Sequence, residues 1–344
     1  MNLALAEAHK GVGRTAPNPP VGAVVVRDGR LLGAGWHRAA GLPHAEREAL
    51  AAALRYYGRQ EVRGATVYVT LEPCCSYGRT PPCTDALIEA GVARVVYACT
   101  DHDPRHFGRA DSILAEAGIE VVPGVCADEV APLLRPFFKV RETGLPWVIW
   151  KCAMSLDGRL TRPSGEGRWL TGEGAREDVQ RLRAEVDAIL TSGETVRCDR
   201  PALTIRVPEL LEGRPQPWRV VLTGKPASLP ADAPLFTDEW RFRTVVRSGE
   251  DLAGVLRGLA DDQGVLSVMV EAGGRLSASL FAAGLVDEVV VYMAPLVCGG
   301  PIAVVAGLSL PASLRLTPFE VTRCGGDLRL RARCLADDDA GVRL

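Results

Sequence analysis

Along the first part of the chain, apolar residues at helical spacing alternate with short, nearly continuous apolar runs. Residues 2–10 read as a helix. VGAVVVRDGRLLGAGW, 21–36, reads as a hairpin with Asp28-Gly29 at its turn. A helix follows from Pro43 to Tyr57, then the strand ATVYVTL, 65–71, and the helix PPCTDALIEAG, 81–91, with proline near its start and Gly91 at its end. The strand ARVVYAC, the helix GRADSILAEAG, the strand IEVVPG and the helix ADEVAPLLRPFF carry the pattern to residue 138.

The segment KVRETGLP, 139–146, is charged, ends in Gly and Pro, and reads as a boundary. A second alternation follows. Its strands are WVIWKCAMSL, DAILTSG, WRVVLTG, RTVVRS, VLSVMVEAGG, VDEVVVYMAP and two more within 313–333. Its helices are EGAREDVQRLRAEV, DLAGVLRGLADD and RLSASLFAAGL. The proline-rich stretch 200–240 reads as surface loop, and the tail ADDDAGVRL as frayed. Strands alternating with helices predict an α/β fold with a largely parallel sheet beyond the first hairpin. We expect two domains, 1–142 and 146–335.

Composition narrows the function. The formal charge is −2 over 344 residues, without the basic stripe of a nucleic-acid-binding domain. No apolar run reaches membrane-spanning length, and the N-terminus lacks the order of a signal peptide, so we expect a cytoplasmic protein. Seven of the ten cysteines stand singly and read as buried reduced thiols. Cys74, Cys75 and Cys83 differ, because they share a polar loop rich in Gly and Pro.

PHAE supplies His44 and Glu46 at the start of a helix. TLEPC supplies Cys74 just past a strand, and PPC supplies Cys83 at the start of the next helix. One imidazole and two thiolates suit Zn²⁺, with the fourth tetrahedral position left for water. Glu46 is placed to shuttle a proton. Cys83, at a helix N-terminus, is expected to ionise readily. This is the chemistry of zinc deaminases, with the second cysteine nine positions after the first instead of three.

APNPPVGAVVV, AGWHRAAGLPHAE, TLEPCCSYGRTPPCTDALIEAGVARVV and AGIEV resemble the N-terminal half of the bifunctional riboflavin-biosynthesis deaminase/reductase family. KCAMSLDGRL, SGEGRWLTGEGAREDVQRLRAEVDAILTSGETV, DRPALTIR, VEAGG and GLVDEVVVYMAPLVCGG resemble its reductase half. The resemblance implies a cytidine-deaminase-like α/β/α domain followed by a dihydrofolate-reductase-like α/β domain. It implies one zinc per chain on His44, Cys74 and Cys83, Glu46 as proton shuttle, and Asn18 as a substrate contact. It implies an NADPH site at Ala153, Trp169, Thr195 and Asp199. Gly273 and Gly274 are expected to let the backbone approach the cofactor's pyrophosphate. Gly167, Arg183, Leu203, Arg206 and Glu271 would line the substrate site, the two arginines gripping a phosphate. The implied partner is a pyrimidine ribosyl phosphate, with no nucleic acid and no membrane, in a homo-oligomer (dimer or tetramer).

The chain departs from the family pattern at several places. Ser76 stands where the loop usually has histidine, and Cys75 adds a thiol beside the site. Gly167 replaces a common serine, and Gly224 and Arg200 are also unusual. Three other readings compete: a nucleoside or tRNA-adenosine deaminase fused to an unrelated domain, a zinc-stabilised scaffold without turnover, and a chain with one decayed half.

Overall fold

The computed structural model describes residues 1–335 apart from 79, 104–105, 168, 249–250 and 311; the tail expected to fray, 336–344, lies outside the described residues. The chain divides into two compact units, Met1–Gly144 and Leu145–Leu344.

The first unit holds a five-stranded sheet in the order β2-β1-β3-β4-β5. Strands β1 (Gly22–Arg27) and β2 (Arg30–Trp36) form the expected hairpin. Asp28 and Gly29 sit at φ 49° and 75°, as a tight two-residue turn between twisted strands requires. Strand β1 runs antiparallel to β3 (Thr66–Leu71), and β3, β4 (Arg94–Cys99) and β5 (Glu120–Val122) are parallel. The helices are α1 (Asn2–His9), α2 (Ala45–Val62), α3 (Cys83–Ala90), α4 (Arg109–Glu116) and α5 (Ala127–Thr143). The core gathers Ala23 and Val25 of β1, Val67 and Val69 of β3, Ala49 and Ala53 of α2, and Leu87 of α3.

The seating of α2 matters, because its N-terminus carries His44 and Glu46. A Cβ on Gly35 would meet the Ala49 nitrogen at 2.5 Å, and one on Gly33 the Ala49 oxygen at 2.3 Å. Bare backbone on β2 therefore lets α2 lie close against the sheet. The helix breaks at Gly58 (φ 78°, ψ 168°), next to the expected end at Tyr57, and then continues to Val62.

The second unit holds an eight-stranded sheet in the order β12-β13-β11-β6-β10-β7-β8-β9. Strands β6 (Trp147–Ser155), β7 (Ala188–Ser192), β8 (Trp218–Leu222), β9 (Thr244–Arg247), β10 (Ser267–Val270) and β11 (Glu288–Ala294) are parallel. Strands β12 (Glu320–Cys324) and β13 (Asp327–Arg333) add an antiparallel hairpin to one edge. Along β6, Val148, Trp150 and Cys152 enter one core and Ile149 the other, so the sheet is covered on both faces. The helices are α6 (Glu173–Glu185), α7 (Gly193–Asp199), α8 (Pro208–Leu211), α9 (Pro234–Thr237), α10 (Leu252–Gln263) and α11 (Gly274–Ala282).

Two expectations are corrected. The helix expected to end at 138 runs on: residues 139–143 are the last turn of α5, whose charges sit on a helix that stops only where Gly144 turns left-handed. The stretch 200–240 is not surface loop around the expected strand β8: Leu203, Ile205, Ala233 and Leu235 are buried. Proline there ends elements without expelling the intervening apolar residues from the core. Among the described residues, no helix is long and apolar enough to cross a membrane.

Candidate active sites

At the N-terminus of α2, His44 turns its Nδ1 toward two sulfurs, lying 3.4 Å from Cys74 Sγ and 3.4 Å from Cys83 Sγ. Tetrahedral zinc with ordinary Zn–N and Zn–S bonds places such donors about 3.5 Å apart. The three donor atoms all lie within 4.8 Å of one another, and the chemistry of the set fits zinc. Thr80 Oγ1 stands 3.3 Å from the other ring nitrogen of His44 and fixes the ring's direction. Arg47 donates to the Pro82 carbonyl at 2.8 Å, tying α2 to the start of α3.

The N-terminus of α3 serves Cys74. The Cys83 amide donates to Cys74 Sγ at 3.3 Å and to the Cys74 carbonyl at 3.0 Å. The Cys83 thiol first, then His44, and last this amide, hold the Cys74 thiol down at about 4 against the cost of burial. Cys83 itself is pushed up, by its bond to Cys74 and by complete burial. The amide at the start of α3 thus donates to the sulfur in front of the helix, and the thiol held down is that of Cys74. Glu46 is 3% exposed and bonded to the Cys83 thiol. Burial, then the neighbouring Cys74, raise its carboxyl above the usual range.

His44, Glu46, Cys74 and Thr80 open into a cavity of about 370 Å³. Asn18, His37, Glu72, Ser76, Asp101 and His106 also line it. Glu72, 3% exposed, accepts from the backbone nitrogens of Asp101, Gly108 and Ala110 at 3.1–3.2 Å and so pins the loop between β4 and α4 beside the cavity. The histidine absent at 76 is met by another: His106 reaches in from that loop. Of these residues, His37, Glu72, Thr80, Asp101 and His106 were not singled out from the sequence. One signal was available, since all five histidines fall within the first 106 residues.

In the second unit, Ala153 lies near the end of β6, Glu271 follows β10, and Thr195 and Asp199 follow β7. These strands are neighbours and parallel, so the four residues stand at the same carboxyl edge. Arg183 clamps Glu271 with Nε and Nη2, at 2.8 and 3.1 Å, and donates to the Thr204 carbonyl at 2.9 Å. Lys151 Nζ lies 3.7 Å from Glu271. Burial alone pushes Glu271 up, but Arg183 and Lys151 outweigh it and hold the carboxyl at about 2.

Arg183 is thus paired with the buried Glu271 carboxylate. The Arg206 side chain is exposed, while its backbone nitrogen is held by Gln180 Oε1 at 2.7 Å. Leu203 is buried at φ 51°, a conformation costly for leucine. Thr195 is bonded to Ser192, whose hydroxyl caps α7. Trp169 is 55% exposed with the Arg176 guanidinium 5.3 Å from its ring centre. Gly167 sits at φ 96°. A Cβ on Gly273 would meet open space, but one on Gly274 would meet the Ala303 oxygen at 2.5 Å. Gly274 therefore admits the chain's own segment 303–306, and only Gly273 leaves room for a ligand.

Residues 146–330 match the family model described as the RibD C-terminal domain. Residues 1–99 match that of the cytidine and deoxycytidylate deaminase zinc-binding region. The riboflavin biosynthesis protein RibD of Escherichia coli is 42% identical, over 87% of this chain and 88% of that one. The chain belongs to the RibD family. The RibD protein of Mycobacterium tuberculosis is 42% identical over 96% and 95% of the two chains. The Acinetobacter baumannii RibD structure superposes with a TM-score of 0.87 at 38% identity, covering 97% of this chain and 98% of that one. A Thermotoga maritima structure, a diaminohydroxyphosphoribosylaminopyrimidine deaminase and 5-amino-6-(5-phosphoribosylamino)uracil reductase, superposes at 0.86 with 32% identity and 97% coverage of both. As a RibD, the chain is a bifunctional riboflavin-biosynthesis enzyme: a zinc-binding, cytidine-deaminase-like domain followed by a reductase domain.

Proposed function

We propose that the first unit hydrolytically deaminates 2,5-diamino-6-ribosylamino-4(3H)-pyrimidinone 5′-phosphate. The second then reduces the product's ribosyl group to ribityl with NADPH, giving 5-amino-6-ribitylaminouracil 5′-phosphate. The observation that carries the reading is the convergence of His44, Cys74 and Cys83 on one point with buried Glu46 beside them. His44, Cys74 and Cys83 would hold one zinc, which supplies a Lewis acid that activates water. Glu46 takes the proton from the attacking water and hands it to the departing amine. Asn18 holds the pyrimidine. In the second unit, Ala153, Trp169, Thr195, Asp199 and Gly273 face NADPH, and Gly167, Arg183, Leu203, Arg206 and Glu271 face the substrate, Arg183 also setting Glu271. The domain limits 1–142 and 146–335 and a homo-oligomeric state belong to the same proposal.

The scaffold reading needs a fourth protein ligand, and among the described residues the donor cluster has three members. The test is incubation with the pyrimidinone phosphate, with and without NADPH, following ammonia and NADPH oxidation separately. Ammonia released without NADPH, and NADPH oxidised only after deamination, is the expected result. NADPH oxidation without ammonia would sink the order of steps.

A further inference from the structure

We infer that His106 is a positioning residue for the deamination site, holding the Ser76 hydroxyl as a hydrogen-bond donor to the oxo group of the pyrimidinone. The inference rests on the deaminase reading of the cavity.

The argument begins with the direction of the bonds. His106 Nδ1 lies 3.4 Å from the backbone nitrogen of Cys75, and an amide N–H can only donate. The Cys75 thiol lies 3.6 Å from the same ring nitrogen and can donate to it too. Nδ1 is therefore an acceptor and carries no proton. The proton of the neutral ring then sits on Nε2, which stands 3.5 Å from Ser76 Oγ. Nε2–H donates, Ser76 Oγ accepts, and the serine's own proton is directed elsewhere. Ser76 and His106 both line the cavity, so that proton can serve a ligand there.

The cavity has a use for such a donor. Glu46, Glu72, Asp101 and Asp103 line it, and all four are carboxylates. Asn18 has its amide nitrogen 3.0 Å from His37, so its oxygen is what remains for a ligand. Glu72 is held by backbone amides and Asp103 lies 3.8 Å from Arg141, so Glu46, Asp101 and the Asn18 oxygen are the acceptors suited to the amino and ring N–H groups of a diaminopyrimidinone. Its oxo group needs a donor, and a neutral hydroxyl provides one without adding charge. The base is favoured over the phosphate as partner because Ser76 is two residues from Cys74, at most about 7 Å of extended chain. That keeps its hydroxyl near the reacting ring, whereas the phosphate lies beyond the ribose. Glu72 completes the device, since it pins both ends of the loop that delivers His106.

The test uses full-length, zinc-loaded protein. Ammonia release is measured for Ser76→Ala, His106→Ala, the double variant and His106→Gln. Loss of one neutral hydrogen bond predicts a fall in deamination kcat/KM of about 3- to 10-fold in either single variant, carried mainly by KM. The double variant should be no worse than the singles, because both remove one contact. His106→Gln should recover most of the loss, since its amide can accept from Cys75 and donate to Ser76. Zinc content and NADPH-dependent reduction of the deaminated intermediate should stay at wild-type levels in all four. Additive losses, a glutamine variant as poor as alanine, or an unaffected Ser76→Ala would each overturn the inference. Repeating the series on the dephosphorylated nucleoside separates base from phosphate: losses that persist support the base contact, and losses that vanish assign Ser76 to the phosphate and overturn it. Absence of ammonia release by the wild type would instead refute the deaminase reading itself.

Discussion

Asn18 Nδ2 lies 3.0 Å from His37 Nε2, and the opposite nitrogen of that ring lies 3.1 Å from the Pro43 carbonyl. A carbonyl only accepts, so His37 carries its proton on Nδ1 and accepts from Asn18 at Nε2. The amide is thereby locked with its oxygen left for a ligand. His37→Phe should free the amide and lower deamination kcat/KM by about 10-fold, with zinc content intact. Asn18→Asp should be at least as poor, because a carboxylate cannot donate to His37. Wild-type kinetics in His37→Phe would remove the histidine from this role.

Cys83→Ser should lose most bound zinc and all deamination. A neutral hydroxyl is a poor substitute for a soft thiolate, and Cys83 is fully buried in the donor cluster. Metal analysis of the purified variant is the check. Full zinc content would overturn the ligand assignment.

Glu46→Gln should keep its zinc and lose deamination by about 100-fold or more, the scale of general acid–base catalysis. The amide can hydrogen-bond but cannot carry the proton. The same variant should still oxidise NADPH when given the deaminated intermediate, since the second unit has its own sheet and cores. Loss of both activities in a folded, zinc-loaded protein would contradict two separable sites.

The zinc donors are legible in the sequence because a soft-metal site requires particular side chains in fixed number, and because proline and helix starts mark where they stand. The strands and longer helices are legible because each is long enough to show its period. Helix α7, with seven residues, is too short for that. The roles of His37, Thr80 and His106 depend on which ring nitrogen faces which partner, and residue spacing does not encode that. The partner of Arg183 is hidden for a related reason. From sequence it is a cation available to phosphate, and the carboxylate it pairs with in the fold stands 88 positions away.

Arg206→Ala should raise KM for the phosphate substrate of the reductase by about 10- to 150-fold and leave KM for NADPH unchanged, the loss of one charge-assisted contact. Arg206→Lys should recover only part, because an ammonium cannot make the planar two-point contact. Steady-state reduction of the deaminated intermediate, varying each substrate in turn, decides it. A raised KM for NADPH alone would move Arg206 to the cofactor site.

The ion pair between Arg183 and Glu271 gives the second unit an acid limit whose sign can be worked out. Glu271 is held at about 2 against an ordinary 4.5, by Arg183 on α6 and Lys151 on β6. A depressed carboxyl contributes its stability in full above the unfolded value and loses it as pH falls toward the folded one. The contribution is therefore complete above pH 4.5, declines between 4.5 and 2, and amounts to about 3 kcal/mol at neutral pH. Roughly half should be gone by pH 3. Glu271→Gln removes the titration and leaves two cations without their carboxylate, so it should lower stability at pH 7. Its deficit against wild type should shrink as the pH is lowered. Urea unfolding of both proteins at pH 7 and pH 3, followed by tryptophan fluorescence, measures this. A deficit that stayed constant, or grew toward acid, would show that Glu271 is not the ionised partner of Arg183.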